Sequence, residues 1–148
     1  MMTSPVTATG HETQRELLTG GIWKGAGIGA AVGAVGNVVL YGIANASGIS
    51  MVGEFMRGQP PLPMPFPPVI ISSFVPALFA ALVAMALNRF TARPARVFTV
   101  VAVVFGLVSM VGPASIAGAG VGLRVVLALM HVVSGLTITM GILRLGRR

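Results

Sequence analysis

Few side chains in this sequence can do chemistry, and they sit in apolar surroundings. His131 interrupts an otherwise uncharged run, and Arg124 stands seven residues before it, a spacing that places both on one face of a helix. Asn37 and Tyr41 lie four residues apart in another such run, Ser72, Ser73 and Ser109 fall in the remaining two, and Ser134 shares the run of His131. An imidazole, a guanidinium, a carboxamide and hydroxyls can hold a polar ligand or an anion, or can hydrogen-bond one helix to another. They make a poor catalytic set. The three acids, Glu12, Glu16 and Glu54, all lie outside the apolar runs, and there is no cysteine. Thiol chemistry and cysteine metal sites are therefore excluded, and the carboxylate of a membrane proton relay is missing. No P-loop, G-x-S-x-G or strand-borne G-x-G-x-x-G motif occurs. No catalytic residue, metal site or cofactor is expected.

The elements that must position these residues follow from composition. Of 148 residues, 55% are hydrophobic, 20 are glycine and only 9% are charged, against about 25% charged in soluble domains. Mean hydropathy is +0.91. Such a chain cannot cover a water-exposed surface with polar groups, which excludes soluble, disordered and nucleic-acid-binding classes. Four runs are long enough to cross the ~30 Å hydrocarbon core as helices: about residues 25–46, 69–87, 97–116 and 124–143. They are continuously apolar, not alternating as barrel strands are. The expected fold is an all-α membrane protein, a four-transmembrane-helix bundle in one domain over 22–146. Residues 1–21 form a polar, flexible tail, 47–68 a proline-rich outer loop, and 144–148 a basic tail.

Basic residues set the orientation. Arg15, Lys24, Arg89, Arg93, Arg96, Arg144, Arg147 and Arg148 fall on one side, and only Arg57 and Arg124 on the other. Both termini are thus expected in the cytoplasm, with anionic headgroups against the inner arginines. The net charge of +7 becomes a topology signal, with no nucleic-acid partner implied. His11 and His131 lie on opposite sides, so they cannot share a haem or zinc. The A-x-A pattern at Ala44 to Ala46 resembles a signal-peptidase site, but its apolar run is too long for a signal peptide, so the first span is expected to be retained.

Lipid is as apolar as leucine, so close backbone packing and interhelical hydrogen bonds must hold the bundle together. Gly21, Gly25, Gly29 and Gly33 recur every four residues in the first span, a flat face that predicts a packing seam. Ala77 and Ala84 in the second span and Gly106 in the third, with Thr99, Ala102 and Ser109 around it, are expected to meet it. Asn37 and Tyr41 lie about 13 and 7 Å below the outer end of the first span, and His131 about 10 Å below Arg124. Asn37, Tyr41, Ser72, Ser73, Ser109, Arg124, His131 and Ser134 form a candidate outward polar cluster. It is read first as interhelical hydrogen-bonding, and second as a pocket open to a ligand. Thr137 and Thr139 are expected to bond back to their own helix.

The connections carry three further expectations. Pro60, Pro61, Pro63, Pro65, Pro67 and Pro68 favour an extended polyproline spacer, with Met64 and Phe66 on the membrane surface or the helix ends. Glu54 is expected to pair with Arg124 or Arg57. Pro113 allows either a short connection or a re-entrant piece between the third and fourth spans.

The segments Ser109-Met110-Val111-Gly112-Pro113 and Leu127-Ala128-Leu129-Met130-His131 resemble a family of small bacterial four-helix membrane proteins, domain of unknown function 6069. Asn37 to Tyr41 and the basic Asn88 to Arg96 turn fit the same pattern. The resemblance covers about Trp23 to Leu145 and implies the topology without bringing an activity. Two functions remain in play: a non-enzymatic structural or accessory subunit, acting as a homo-oligomer or with a membrane-protein partner, and a small transporter or channel component using the polar cluster. An intramembrane enzyme ranks third, because only one acid–base group lies in a span.

Overall fold

A computed structural model describes residues 17–56 and 58–147. Expectations resting on Glu12, Glu16, His11, Arg15, Arg57 and Arg148 lie outside the described residues. Helix α1 spans Thr19–Ala46, α2 Phe66–Phe90, α3 Pro94–Ser109, α4 Val111–Ala114 and α5 Val121–Gly146. Four helical segments, the third running through α3 and α4 to Ser115, are long and apolar enough to cross a membrane. The chain is a multi-pass membrane protein of four spans, and its even count returns both described ends to one face of the bundle.

Local sequence explains the helix boundaries. Pro67 and Pro68 occupy the first turn of α2 and Pro94 that of α3, where a missing N–H costs nothing. Pro113 has no N–H for the Ser109 carbonyl four residues before it and crowds that carbonyl, and α3 ends at Ser109. A single further turn, α4, follows, and then a short connection with Gly118 at φ +67°. Residues 112–122 are thus helix end and loop. Helix α1 begins six residues before the expected 25, because Leu17 is held by both neighbours. The Leu17 N–H donates to Asn88 Oδ1 (2.8 Å) and Asn88 Nδ2 to the Leu17 carbonyl (2.9 Å). The Leu18 N–H donates to the Gly146 carbonyl at the end of α5 (2.9 Å). This clasp ties α1, α2 and α5 together at one end of the bundle.

The glycine face of α1 packs antiparallel along α5, not against the third span. A Cβ on Gly21 would collide with the Leu145 carbonyl, and one on Gly25 with the Gly141 carbonyl. On Gly29 it would lie 2.5 Å from the Thr137 carbonyl oxygen, and on Gly33 2.8 Å from Thr137 Oγ1. Gly141 answers from α5, where a Cβ would strike the Gly25 carbonyl. The two backbones are therefore in close contact over about three turns. Ala77 and Ala84 of α2 are buried against this pair as expected. Gly106 is not: a Cβ there meets nothing within 4 Å, and the buried residues of α3 are only Pro94 and Phe98. The stripe Thr99, Ala102, Gly106 and Ser109 stays half-buried, because α5 already occupies the α1 face that it was expected to meet.

Two apolar clusters fill the bundle. One gathers Ile22, Ala26, Ala30, Ala81, Phe98, Ile138 and Ile142 near the clasp, and the other Ala44, Met51, Met64, Val69, Leu123 and Met130. The second cluster is roofed by the proline-rich loop. Strands β1 (Val52–Gly53) and β2 (Leu62–Pro63) pair antiparallel, and Glu54 forms a bridge to Ala117 in the connection before α5. Met64 is buried, while the Phe66 ring meets Tyr41 edge-on at 5.7 Å. Proline lacks the donor a long strand needs, so the pairing stops after two residues.

The seam makes a paired prediction. Gly25→Leu and Gly33→Leu should each lower bundle stability by about 3 kcal/mol or prevent folding, as overpacking against rigid backbone does. Gly27→Leu, where a side chain meets nothing within 4 Å, should melt like the parent protein in detergent; equal behaviour of Gly25→Leu and Gly27→Leu would sink the seam.

Candidate functional site

Of the eight residues expected to cluster, three come together. Asn37 from α1, Ser73 from α2 and Ser134 from α5 converge between the two apolar clusters, exposed by 1%, 0% and 8%. Asn37 Nδ2 donates to Ser73 Oγ (3.0 Å) and to Ser134 Oγ (2.9 Å), and the two hydroxyls lie 3.3 Å apart. Each helix supplies one group, so the triad fixes the mutual rotation of three spans. The glycine seam places Ser134 there, since Gly33 packs against the Ser134 backbone one turn below Asn37. Asn37 Oδ1 is buried without a partner among the described residues. With the amide turned over, the orphan would be the nitrogen instead, because three groups cannot satisfy all of a carboxamide's capacity.

The other five are held apart, each by nearby backbone. Tyr41 Oη donates to the Met64 carbonyl (3.2 Å), which anchors the proline-rich loop. Ser72 Oγ donates to the Val69 carbonyl (3.2 Å) and Ser109 Oγ to the Gly106 carbonyl (2.7 Å). His131 Nδ1 lies 2.8 Å from the Leu127 carbonyl; a carbonyl only accepts, so Nδ1 carries the hydrogen. His131 is nevertheless exposed on the bundle surface and does not join the triad. Arg124 Nη2 donates to the Ile116 carbonyl (3.2 Å). Glu54 accepts from the Gly58 N–H (2.7 Å) and does not pair with Arg124, while the alternative partner, Arg57, lies outside the described residues. Ser72, Ser109 and His131 find a carbonyl acceptor within a turn of their own chain at no long-range entropic cost, while Tyr41 and Arg124 are drawn to loop carbonyls instead. Thr137 behaves as expected, bonding the Val133 carbonyl (2.9 Å).

The positions next to Asn37 and Ser73 also shape the surface. Ala31, Ala34, Val35, Val38 and Val39 with Ile70 and Phe74 line an apolar groove along the α1–α2 seam. Ala34 and Val38 bracket Asn37 as Ile70 and Phe74 bracket Ser73, so the groove runs beside the polar layer. Sequence reasoning missed the Asn88 clasp, since its partner is backbone at Leu17 with no side-chain signature. The one clue was Asn88 at the end of an apolar run.

Residues 18–148 match the profile of a family of unknown function, DUF6069. The chain belongs to DUF6069. No curated protein matches it, and no solved structure does. The match includes the seam, the triad and the His131 face of this DUF6069 chain, so all three lie within the family domain.

The triad should behave as one unit. Ser73→Ala and Ser134→Ala should each destabilise the bundle by about 0.6–1.7 kcal/mol, the range of interhelical hydrogen bonds in a membrane. Their sum should differ from the double variant by about 0.5 kcal/mol or more, since both share Asn37. Reversible unfolding in mixed micelles measures this, and strict additivity would show that the hydroxyls act separately.

Proposed function

We propose that this DUF6069 protein is a non-enzymatic structural or accessory subunit of the bacterial cytoplasmic membrane, acting through helix packing. The observation that carries the reading is the triad: the most deeply buried polar side chains of the spans are engaged with one another, as bundle-holding groups are. The seam supports it too, because the small-residue face of α1 is consumed inside the chain. Helix α3 is the span with least internal packing, and its outward face carries Val100, Val104 and Val108, all exposed. That helix is the proposed contact with a second copy or with another membrane protein. Lys24, Arg89, Arg93, Arg96 and Arg144 lie toward the clasp end and Arg124 at the other, which supports both termini in the cytoplasm and anionic headgroups around the clasp.

A small transporter or channel component with an outward polar pocket is the second reading. It is favoured by one observation, the exposed imidazole of His131. The natural sequence has no cysteine, so single cysteines report contacts cleanly. Val104→Cys in native membranes should cross-link to a protein partner or a second copy, whereas Val32→Cys on the lipid face of α1 should not. Cross-linking from Val32→Cys alone would overturn the α3 assignment, and failure of both would argue against the subunit role.

A further inference from the structure

Helices α1 and α2 close on each other toward the clasp and part toward the proline-rich loop. On the clasp side Ala77, Ala81 and Ala84 of α2 are buried in one cluster with Ala26 and Ala30 of α1. On the loop side the facing residues grow to Val35 and Val39 against Ile70 and Phe74, and a groove of about 360 Å³ opens between the helices. Ala34 is buried at its base, while Val35, Val39 and Phe74 are exposed along it. All of its lining residues are apolar.

The depth of the groove identifies what fills it. Ile70 and Phe74 stand four and eight residues into α2 from Phe66, about 6 and 12 Å from the loop end. On α1 the groove runs from Val39 back to Ala31, which lies near the middle of the Thr19–Ala46 helix. It therefore occupies the leaflet on the loop side and stops near the midplane, where the alanines shut it. A partner helix packs along both leaflets, and this groove is blind after one. A lipid acyl chain has the matching form: it descends about 15 Å through half of the ~30 Å core and ends at the midplane in a methyl group. The apolar lining asks for no hydrogen bond. A chain lying between two helices also touches protein on both flanks, where an open helix face offers one, and each added close contact gains dispersion energy.

We propose that the α1–α2 groove is a lipid-binding site that holds one phospholipid acyl chain, its methyl end toward Ala31. This goes beyond the packing role and does not depend on it. The probe is a phosphatidylcholine with a dibrominated chain, which quenches tryptophan only on contact. In a full-length chain carrying Trp23→Phe, two single tryptophans are compared: Phe74→Trp in the groove, and Ile71→Trp on the exposed face of the same helix outside it. As brominated lipid is added to detergent micelles, Phe74→Trp should reach half-quenching at about tenfold less lipid than Ile71→Trp, the ratio that separates a held chain from passing lipid. Ala31→Phe and Val35→Phe, which fill the groove from exposed positions, should each bring the Phe74→Trp curve onto the Ile71→Trp curve without lowering the melting temperature. Coincident curves in the parent pair would reduce the groove to ordinary lipid-facing surface and overturn the proposal. Retained tight quenching in both filled variants would overturn it as well. So would a disulfide between two copies through Val35→Cys, which would give the groove to a second chain.

Discussion

Direct backbone contact between α1 and α5 is the constraint from which the bundle is built. In lipid, burying a leucine against another helix gains little that the acyl chains do not already give. What distinguishes a helix neighbour from lipid is density, and density is greatest where no side chain intervenes. Gly21, Gly25, Gly29 and Gly33 remove the side chains on one helix, and Gly141 does so on the other. Once these two axes are fixed, α2 has a shallow valley to fill and does so with Ala77, Ala81 and Ala84. Helix α3 is left on the far side of that valley, anchored by Phe98 and Pro94.

Polar groups then select one arrangement from the several that small residues permit. A glycine face can slide by four residues with modest change in contact, but Asn37 can reach both Ser73 and Ser134 at one setting only. Asn88 makes a second fixed point at the clasp, and Tyr41 a third at the loop. The three lie near the middle and the two ends of the bundle, so between them they define tilt, rotation and register. Each bond is individually weak, which suits a role in choosing geometry more than in supplying stability.

The spans were legible in the sequence because hydrophobic length is a direct physical requirement of the bilayer. The glycine face of α1 was equally legible, since a four-residue repeat in a helix has one geometric meaning. Its partner was not. Small-residue stripes occur in the second, third and fourth spans alike, and Gly106 fitted the pattern as well as Gly141 did. The polar cluster was partly legible: depth placed Asn37, Ser73 and Ser134 together, but depth cannot say which hydroxyl will turn to its own backbone, as Ser72 and Ser109 do. The proline-rich loop read as extended, and it is, yet its pairing with Val52–Gly53 depended on a residue alternation too short to recognise.

The seam joins the first of the four described spans to the fourth. Helix α5 is synthesised after α1, α2 and α3, so the bare glycine face of α1 waits for residues 121–146 to leave the ribosome. The largest interface in the bundle is therefore also the one of longest sequence separation, and such contacts form late. A chain cut short before α5 leaves an unclosed α1, with Asn37 in hydrocarbon and no Ser134 to receive it. Emergence of α5 and closure of the seam are in this way one event.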